Sequence, residues 1–256
     1  NVGVIYLMSI ASIAVYGIVL AGWSSNNKYA MMGGLRSTAQ MISYELTLGL
    51  GFVVVILLGN SMSLVEIVEA QKGMWFAAIQ PVGYLLFFIA TLAEVNRHPF
   101  DMPEAEQELT AGYHTEYSGM KFALFFMAEY QKMIVVSMIG ATLFLGGYRE
   151  FWFLKDTFLS VDRAWFLGPA YLFIKIVVLL GIMIWVRASW PRIRYDRLMS
   201  LGWKILIPLS LAVVFITAVG ILLENYWMIA LLSILAGLVA VMAINRDLRR
   251  KAYERA

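Results

Sequence analysis

The 256-residue sequence contains no cysteine, only two histidines and few charged residues, which make up 14% of the chain. Without cysteine, this chain has no disulfide framework, thiolate-held iron–sulfur cluster or covalently attached haem, so any electron carrier must lie elsewhere. Apolar residues make up 61% of the chain, whereas soluble domains contain about 45–50% apolar and about 25% charged residues. The composition therefore excludes a soluble globular enzyme and predicts a polytopic membrane protein.

Seven stretches are apolar enough, and long enough at about 20 residues, to cross a bilayer. They lie at 2–22, 41–59, 79–96, 122–147, 169–188, 203–223 and 226–244. The stretches lack the alternating pattern of barrel strands, and backbone in lipid must satisfy its own hydrogen bonds, so we expect helices. The sequence predicts an all-α transmembrane bundle forming one domain over 1–256, with 226–244 as an extra C-terminal span.

Lysine and arginine are distributed unevenly between the two ends of these spans. Fourteen fall on one face, whereas the other face holds only Lys72, Arg149, Lys155 and Arg163. The positive-inside rule places the basic face and the C-terminus in the cytoplasm. This face suits anionic lipid headgroups, and no basic stripe interleaved with aromatic residues indicates nucleic acid as a partner. The chain opens directly into an apolar run without a basic leader, so we expect the natural protein to begin upstream.

The connection 97–121, called the acidic loop here, is acidic although it lies on the basic face. Its two basic residues are outnumbered by the five acids Asp101, Glu104, Glu106, Glu108 and Glu116. Apolar and turn-forming residues lie among these acids, which predicts a loop folded against the bundle; a solvated loop is the alternative. Carboxylates crowded in this way raise one another's pKa.

Three further acids, Glu45, Glu94 and Glu129, fall inside predicted spans, each within roughly 10 Å of the cytoplasmic edge. A charge in lipid costs at least about 2.5 kcal/mol, so we expect these side chains to face protein or a wet cavity. Carboxyls that run from a loop into the bilayer are what a proton relay needs. In the alternative interpretation, Glu129 pairs with Lys132 three residues later and the other two acids snorkel to the surface.

Other patterns carry less information. Both histidines, His98 and His114, lie in the acidic loop, which excludes a haem held between transmembrane histidines and indicates a solvated or loop-packing role. Gly33 and Gly34 predict a tight turn before the second span, and Lys175 is expected to snorkel to the outer edge. No metal site is predicted.

Three segments resemble one known family. They are GGLRSTAQMISYEL at 33–46, AEVNRHPFDMPEAEQELTAGYHTEYSGMKFALFFMAEY at 93–130 and RASWPRIRYDRLMSLGWKILIP at 187–208. These segments resemble the heel membrane subunit, or H subunit, of respiratory complex I, the NADH:quinone oxidoreductase, and the likeness extends over 26–208. In that complex the heel subunit joins the electron-transfer arm to the proton-pumping membrane arm and forms much of the quinone chamber.

The resemblance implies quinone as the substrate, with iron–sulfur clusters and flavin only on partner subunits. It also implies a multi-pass protein of a bacterial plasma membrane, in contact with a cytoplasmic iron–sulfur arm, antiporter-like and small membrane subunits, and lipid. Carried over position by position, it implies a proton or charge relay through Glu45, Glu94, Asp101, Glu104, Glu106, Glu108, Glu116 and Glu129. Quinone-binding residues would be Arg36, Arg97 and Phe100. Residues facing partner subunits would be Arg187, Arg192, Arg194 and Asp196.

Three alternatives remain open from the sequence alone. A related membrane subunit of an energy-converting hydrogenase would bind no quinone. A stand-alone proton-coupled transporter would be expected to contain inverted repeats or matching glycine-broken helices, which are not evident. A scaffold without chemistry would leave the acids within the spans unexplained. Many members of the resembling family also stop soon after the position of Leu223, so the seventh span is an addition found only in some of them.

Overall fold

The computed structural model describes residues 2–102, 112–150 and 166–253, which form helices and no strand. The helices are α1 (Gly3–Ser24), α2 (Lys28–Gly59), α3 (Leu64–Ala70), α4 (Phe76–Ile79), α5 (Pro81–Glu94), α6 (Gly119–Phe144), α7 (Leu167–Ser189), α8 (Tyr195–Leu201), α9 (Ile207–Leu222) and α10 (Tyr226–Tyr253). A 3₁₀ turn at Gly112–His114 precedes α6, and a π-helical turn at Gly202–Leu206 joins α8 to α9.

Within the described ranges, six helical segments are long and apolar enough to cross a membrane: α1, α2, α6, α7, the continuous α8–α9 segment and α10. The shorter apolar helix α5 has 14 residues. The predicted all-α, polytopic membrane bundle of about seven apolar helices is therefore confirmed.

The second helix begins earlier than predicted, at Lys28, where the Asn27 side chain accepts a hydrogen bond from the Tyr29 amide at 3.0 Å. The predicted turn at Gly33 and Gly34 is wrong, because both glycines lie inside α2. They permit close approach of other segments instead: a Cβ added to Gly34 would lie 3.4 Å from the Gly22 Cα of α1. A distant partner, rather than the local sequence, explains these glycines.

The third predicted span consists of two helices that separate at Gln80. Pro81 opens α5, a position that suits proline because the first helical residue needs no amide donor. The buried Gln80 side chain donates a hydrogen bond to the Thr217 hydroxyl of α9 at 2.7 Å. The break in the helix is thereby tied to the neighbouring span.

Helix α2 lies at the centre of the bundle and packs against α1, α5 and α9. At one end of the bundle, α1 and α5 end and α2 and α6 begin; the acidic loop belongs to this end, called the loop end below. At the opposite end, called the far end, α2 and α6 end and the short helices α3 and α4 lie. The two ends hold their buried charges in different ways.

Candidate functional site

A cavity of about 630 Å³ opens towards the loop end, between α1 and α6 and in front of α2 and α5. Most of its lining is apolar, but four carboxylates line it as well: Glu45, Glu94, Asp101 and Glu129. They come from α2, α5, the acidic loop and α6. We call this space the acidic cavity. The prediction that the three acids within the spans face protein or a cavity agrees with this arrangement.

Glu94 is the most buried of these acids, with only 3% of the residue exposed. Lys132 of α6 donates a hydrogen bond to its Oε1 atom at 2.7 Å. The other oxygen, Oε2, is buried and has no hydrogen-bond partner among the described residues. Glu94 and Glu45 also lie close enough to repel one another when both are ionised. One carboxylate oxygen of Glu94 therefore stays available within the cavity wall.

Glu129 forms an ion pair with Arg97, with 2.7 Å between the glutamate Oε1 and the arginine Nε. The predicted alternative, a pair between Glu129 and Lys132 on the same helix, is wrong. The reason is that α5 and the segment after it bring Glu94 and Arg97 against α6, so that Lys132 and Glu129 each find a partner outside their own helix.

Glu45 is half-buried in α2, and its carboxylate accepts a short hydrogen bond from the Ser12 hydroxyl of α1. Neither Glu45 nor Glu94 reaches bulk solvent in the way that the snorkelling alternative required. Asp101 is 5% exposed and lies 3.4 Å from the His98 Nδ1 atom.

The first part of the acidic loop is folded against the bundle, as predicted. The buried Gln40 amide of α2 lies within hydrogen-bond distance of the Ala93, Asn96 and Phe100 oxygens, at 2.9, 3.2 and 2.8 Å. The Phe100 ring lies 5.6 Å from the Tyr44 ring. A buried polar side chain that serves several backbone oxygens fixes the loop, and hence Asp101, above the cavity.

The 3₁₀ turn covers the cavity from the same end. Its residues Tyr113 and His114 line the space, and their rings lie 4.0 Å apart. A Cβ added to Gly33 would come within 2.7 Å of the Gly112 Cα, so the turn rests directly on the α2 backbone. The loop-packing role that was one of the two expected for His114 is confirmed, since its ring also contacts Phe122 and Phe125 of α6.

The remaining candidate relay residues do not line this cavity within the described residues. Glu116 is exposed, and its carboxylate accepts a hydrogen bond from the Asn27 side chain at 2.7 Å. Glu104, Glu106 and Glu108 lie outside the residues that the structure describes. Their relation to the cavity stays a prediction.

The three candidate quinone-binding residues also lie at the loop end, although none lines the acidic cavity in the part of the chain described. Arg97 and Phe100 are 5% and 3% exposed, so both are held inside the protein. Arg36 of α2 is half-buried, with its guanidinium 5.7 Å from the centre of the Tyr195 ring.

The candidate partner-facing residues follow α7 and are more accessible. Arg187 is exposed, and Arg194 and Asp196 form an ion pair at 3.3 Å in which both side chains are about three-quarters exposed. Arg192 is half-buried. The segment is joined to the acidic loop, because the Ile193 amide donates to the Pro99 carbonyl at 3.1 Å.

Comparison with known proteins bears on this geometry. The family model described as NADH dehydrogenase matches residues 1–218, which is most of the chain. The chain belongs to the NADH dehydrogenase family. The match ends within α9, so α10 lies outside it.

Curated relatives of this family member carry the names expected from the three resembling segments. The NADH-quinone oxidoreductase H subunit numbered 1 of Geobacter sulfurreducens is 51% identical over 226 residues, which cover 88% of this chain and 62% of that protein. NADH-ubiquinone oxidoreductase chain 1 of Cyanidium caldarium is 49% identical over 224 residues, covering 88% and 63%. The resemblance to the heel subunit is thereby confirmed, and the chain spans about six-tenths of the length of these relatives.

Sequence reasoning on this member of the family did not identify two of the cavity's polar groups, Lys132 as the partner of Glu94 and Ser12 as the partner of Glu45. A lysine three residues from a glutamate on one helix favours a local pair, so only the position of α5 reveals its actual partner. Ser12 carried no signal, because a lone serine in an apolar span usually bonds its own backbone.

The prediction for Lys175 of α7 is wrong. Instead of snorkelling outwards, this residue is 2% exposed and lies at the far end of the bundle. Its ammonium donates to the carbonyls of Leu145, Gly147 and Arg149 at 2.6, 3.0 and 2.6 Å. The turn after α6 supplies all three acceptors, which the sequence pattern of α7 does not reveal.

Proposed function

We propose that this chain is a membrane subunit of a proton-pumping NADH:quinone oxidoreductase, where it borders the quinone chamber and carries an acidic relay away from it. Quinone is the substrate, and electrons reach it from iron–sulfur clusters and flavin on partner subunits. The relay consists of Glu45, Glu94, Asp101, Glu104, Glu106, Glu108, Glu116 and Glu129.

The observation that carries this proposal is the meeting of four carboxylates from separate elements in one mostly apolar cavity. Burying a charge is unfavourable, and burying like charges together is more so. A bundle that served only as a scaffold would be more stable with apolar residues at these positions. Buried acids inside a membrane bundle are most often sites of proton or ion passage.

The partners of the carboxylates suit a relay. Glu94 bonds Lys132 through one oxygen, while the other is unpartnered among the described residues and offers a place for a proton. Glu129 and Glu45 are held by Arg97 and Ser12, which belong to different elements. Reduction of quinone changes the local charge and the demand for protons, and such a change shifts the protonation of the nearest acids.

The quinone chamber is proposed to lie on the other side of the acidic loop from the cavity. Arg36, Arg97 and Phe100 would then stand on its boundary, since all three lie at the loop end around Tyr44 and Tyr195. Arg187, Arg192, Arg194 and Asp196 are assigned to the surface that meets the iron–sulfur arm. Exposed arginines are well suited to pair with carboxylates of a partner protein.

In the same proposal, the loop end faces the cytoplasm of a bacterium and the chain is part of its plasma membrane. The surplus of lysine and arginine on this end supports that orientation, which also places the C-terminus inside. Antiporter-like and small membrane subunits would adjoin the bundle within the bilayer, and the remaining apolar surface would contact lipid.

The test is to replace Glu94 and Glu129 separately by glutamine in the assembled oxidoreductase and to measure protons pumped per quinone reduced. Each substitution keeps the shape of the side chain but removes the exchangeable proton. We expect pumping to fall by at least about tenfold, as for loss of a proton-transfer group, while the complex still assembles.

The matched control is Glu69→Gln, because Glu69 is exposed on α3 at the far end. This variant is expected to pump at the parent ratio. Unchanged pumping in both Glu94→Gln and Glu129→Gln, with assembly verified by native mass measurement, would reject the relay.

A further inference from the structure

Arg97 sits in an unusual environment for a buried guanidinium. It lies over two aromatic rings of α6, with its Cζ atom 4.5 Å from the centre of the Tyr130 ring and 5.5 Å from that of Phe126. Its Nη2 atom is buried and has no hydrogen-bond partner among the described residues. The aromatic faces therefore supply contacts that hydrogen-bond acceptors usually supply.

The ion-pair partner of Arg97 comes from the same turn of α6. Phe126, Glu129 and Tyr130 are spaced so that they share one face of the helix, and the two rings pack edge to face at 5.1 Å. One helical turn thus provides two aromatic faces and a carboxylate for a single arginine. Arginine fits such a site because its planar guanidinium stacks on rings while it pairs with an acid.

Tyr130 also faces a second arginine. Its hydroxyl lies beside the guanidinium groups of both Arg97 and Arg187. Arg187 is exposed near the end of α7 and belongs to the segment that approaches the acidic loop. Tyr130 itself is 42% exposed, so it connects the wall of the acidic cavity with the surface of the loop end.

We propose that Phe126 and Tyr130 form an aromatic clamp that fixes Arg97 on Glu129, and that Tyr130 and Arg97 are thereby positioning residues of the relay. This inference rests on the proposed function for its role, but the clamp itself is a matter of geometry. It assigns Arg97 to the control of Glu129 rather than to direct contact with quinone. Release of the clamp would free the Glu129 carboxylate to change its proton occupancy.

The experiment compares substitutions of Tyr130 in the assembled complex. Tyr130→Leu removes the ring, whereas Tyr130→Phe keeps the ring and removes only the hydroxyl. A hydrophobic carbodiimide reacts with protonated carboxyls, so its extent of reaction at Glu129, measured by peptide mass spectrometry, reports how firmly Arg97 holds this acid. The matched control is Met127→Leu, since Met127 lies on the same helix, is 60% exposed and does not line the cavity.

We expect Tyr130→Leu to raise the labelling of Glu129 several-fold, and Tyr130→Phe and Met127→Leu to leave it at the parent level. The clamp is refuted if Tyr130→Leu labels like Met127→Leu, or if Tyr130→Phe labels like Tyr130→Leu. Pumping is measured in the same samples. Raised labelling with an unchanged proton-to-quinone ratio would uphold the clamp and count against the proposed relay, so the two failures are distinguishable.

Discussion

The two ends of the bundle bury charge by different means. At the loop end, Glu94 and Glu129 are held by the side chains of Lys132 and Arg97. At the far end, Lys175 is held by three backbone carbonyls. Side-chain partners can rotate away or exchange a proton, whereas backbone carbonyls move only with the chain. The difference distinguishes a site suited to change its charge from one suited to keep it.

The far-end arrangement is built into the turn that follows α6. Gly146 and Gly147 have φ values of +76° and +53°, which side chains disfavour, and this backbone path turns the carbonyls towards Lys175. The Trp75 ring lies 4.8 Å from the ammonium and closes the site. A Cβ added to Gly147 would meet the Val68 side chain at 2.9 Å, so the turn is packed tightly as well.

Removing the Lys175 ammonium should produce the largest loss of stability. In Lys175→Met, three buried carbonyls would lose a donor, and each unsatisfied group costs about 1–3 kcal/mol, so we expect at least about 3 kcal/mol. The measurement is the midpoint of thermal denaturation of the purified complex, together with its yield. Lys72→Met is the control, because Lys72 is exposed at the same end. A similar shift in both variants would contradict the fixed site.

The pair at the loop end should respond differently when one partner is removed. Lys132→Met leaves the Glu94 carboxylate buried and unpaired, for which we expect a loss of about 2 kcal/mol, below the value of about 3–5 kcal/mol for a fully buried pair. The loss is smaller because Lys132 is 22% exposed. Adding Glu94→Gln should restore most of the thermal stability, since no charge then remains unpaired.

This double substitution sharpens the comparison, because the three acceptors of the Lys175 ammonium are backbone carbonyls, which no side-chain substitution removes. The expected coupling between Lys132 and Glu94 is measured as a double-mutant cycle of denaturation midpoints. Additive shifts from the two substitutions would show that the pair does not hold the two helices together. Protons pumped per quinone should fall in both the single and the double variant.

The sequence was sufficient for the features that depend on local pattern. Long apolar runs predicted the spans, and the position of Glu45, Glu94 and Glu129 near one membrane edge predicted that they would be enclosed together. Hydrophobicity and the cost of charge in lipid decide both points without knowledge of the neighbouring helices.

The features that the sequence could not supply depend on partners distant in the chain. Gly33 and Gly34 fit a turn equally well until Gly22 and Gly112 are seen to lie against them. Lys175 satisfies its charge equally well by snorkelling or by bonding a turn, and only the path of residues after α6 decides between them. Likewise, Glu129 has a lysine at helical spacing, but the packing of α5 gives that lysine to Glu94.

The smallest expected effect concerns the link between α1 and α2 at Glu45. Ser12 has one hydroxyl hydrogen and two acceptors in reach, the Glu45 carboxylate and the Met8 carbonyl at 3.0 Å. In Ser12→Ala the half-buried carboxylate loses one of its donors but keeps access to the cavity, so we expect a loss of about 1 kcal/mol. Thermal denaturation measures it, with Ser9→Ala as control, because the exposed Ser9 bonds only the Ile5 carbonyl of its own helix.

Ser12→Thr should retain the parent stability, because a threonine hydroxyl can take the same place. A loss in Ser12→Ala as large as that of Lys175→Met would mean that Glu45 is held as rigidly as the far-end ammonium. The distinction between exchangeable and fixed charge would then fail at the loop end. A loss near that of Ser9→Ala would instead show that water in the cavity replaces the serine, which is the behaviour expected of an acid that must be free to change its partner.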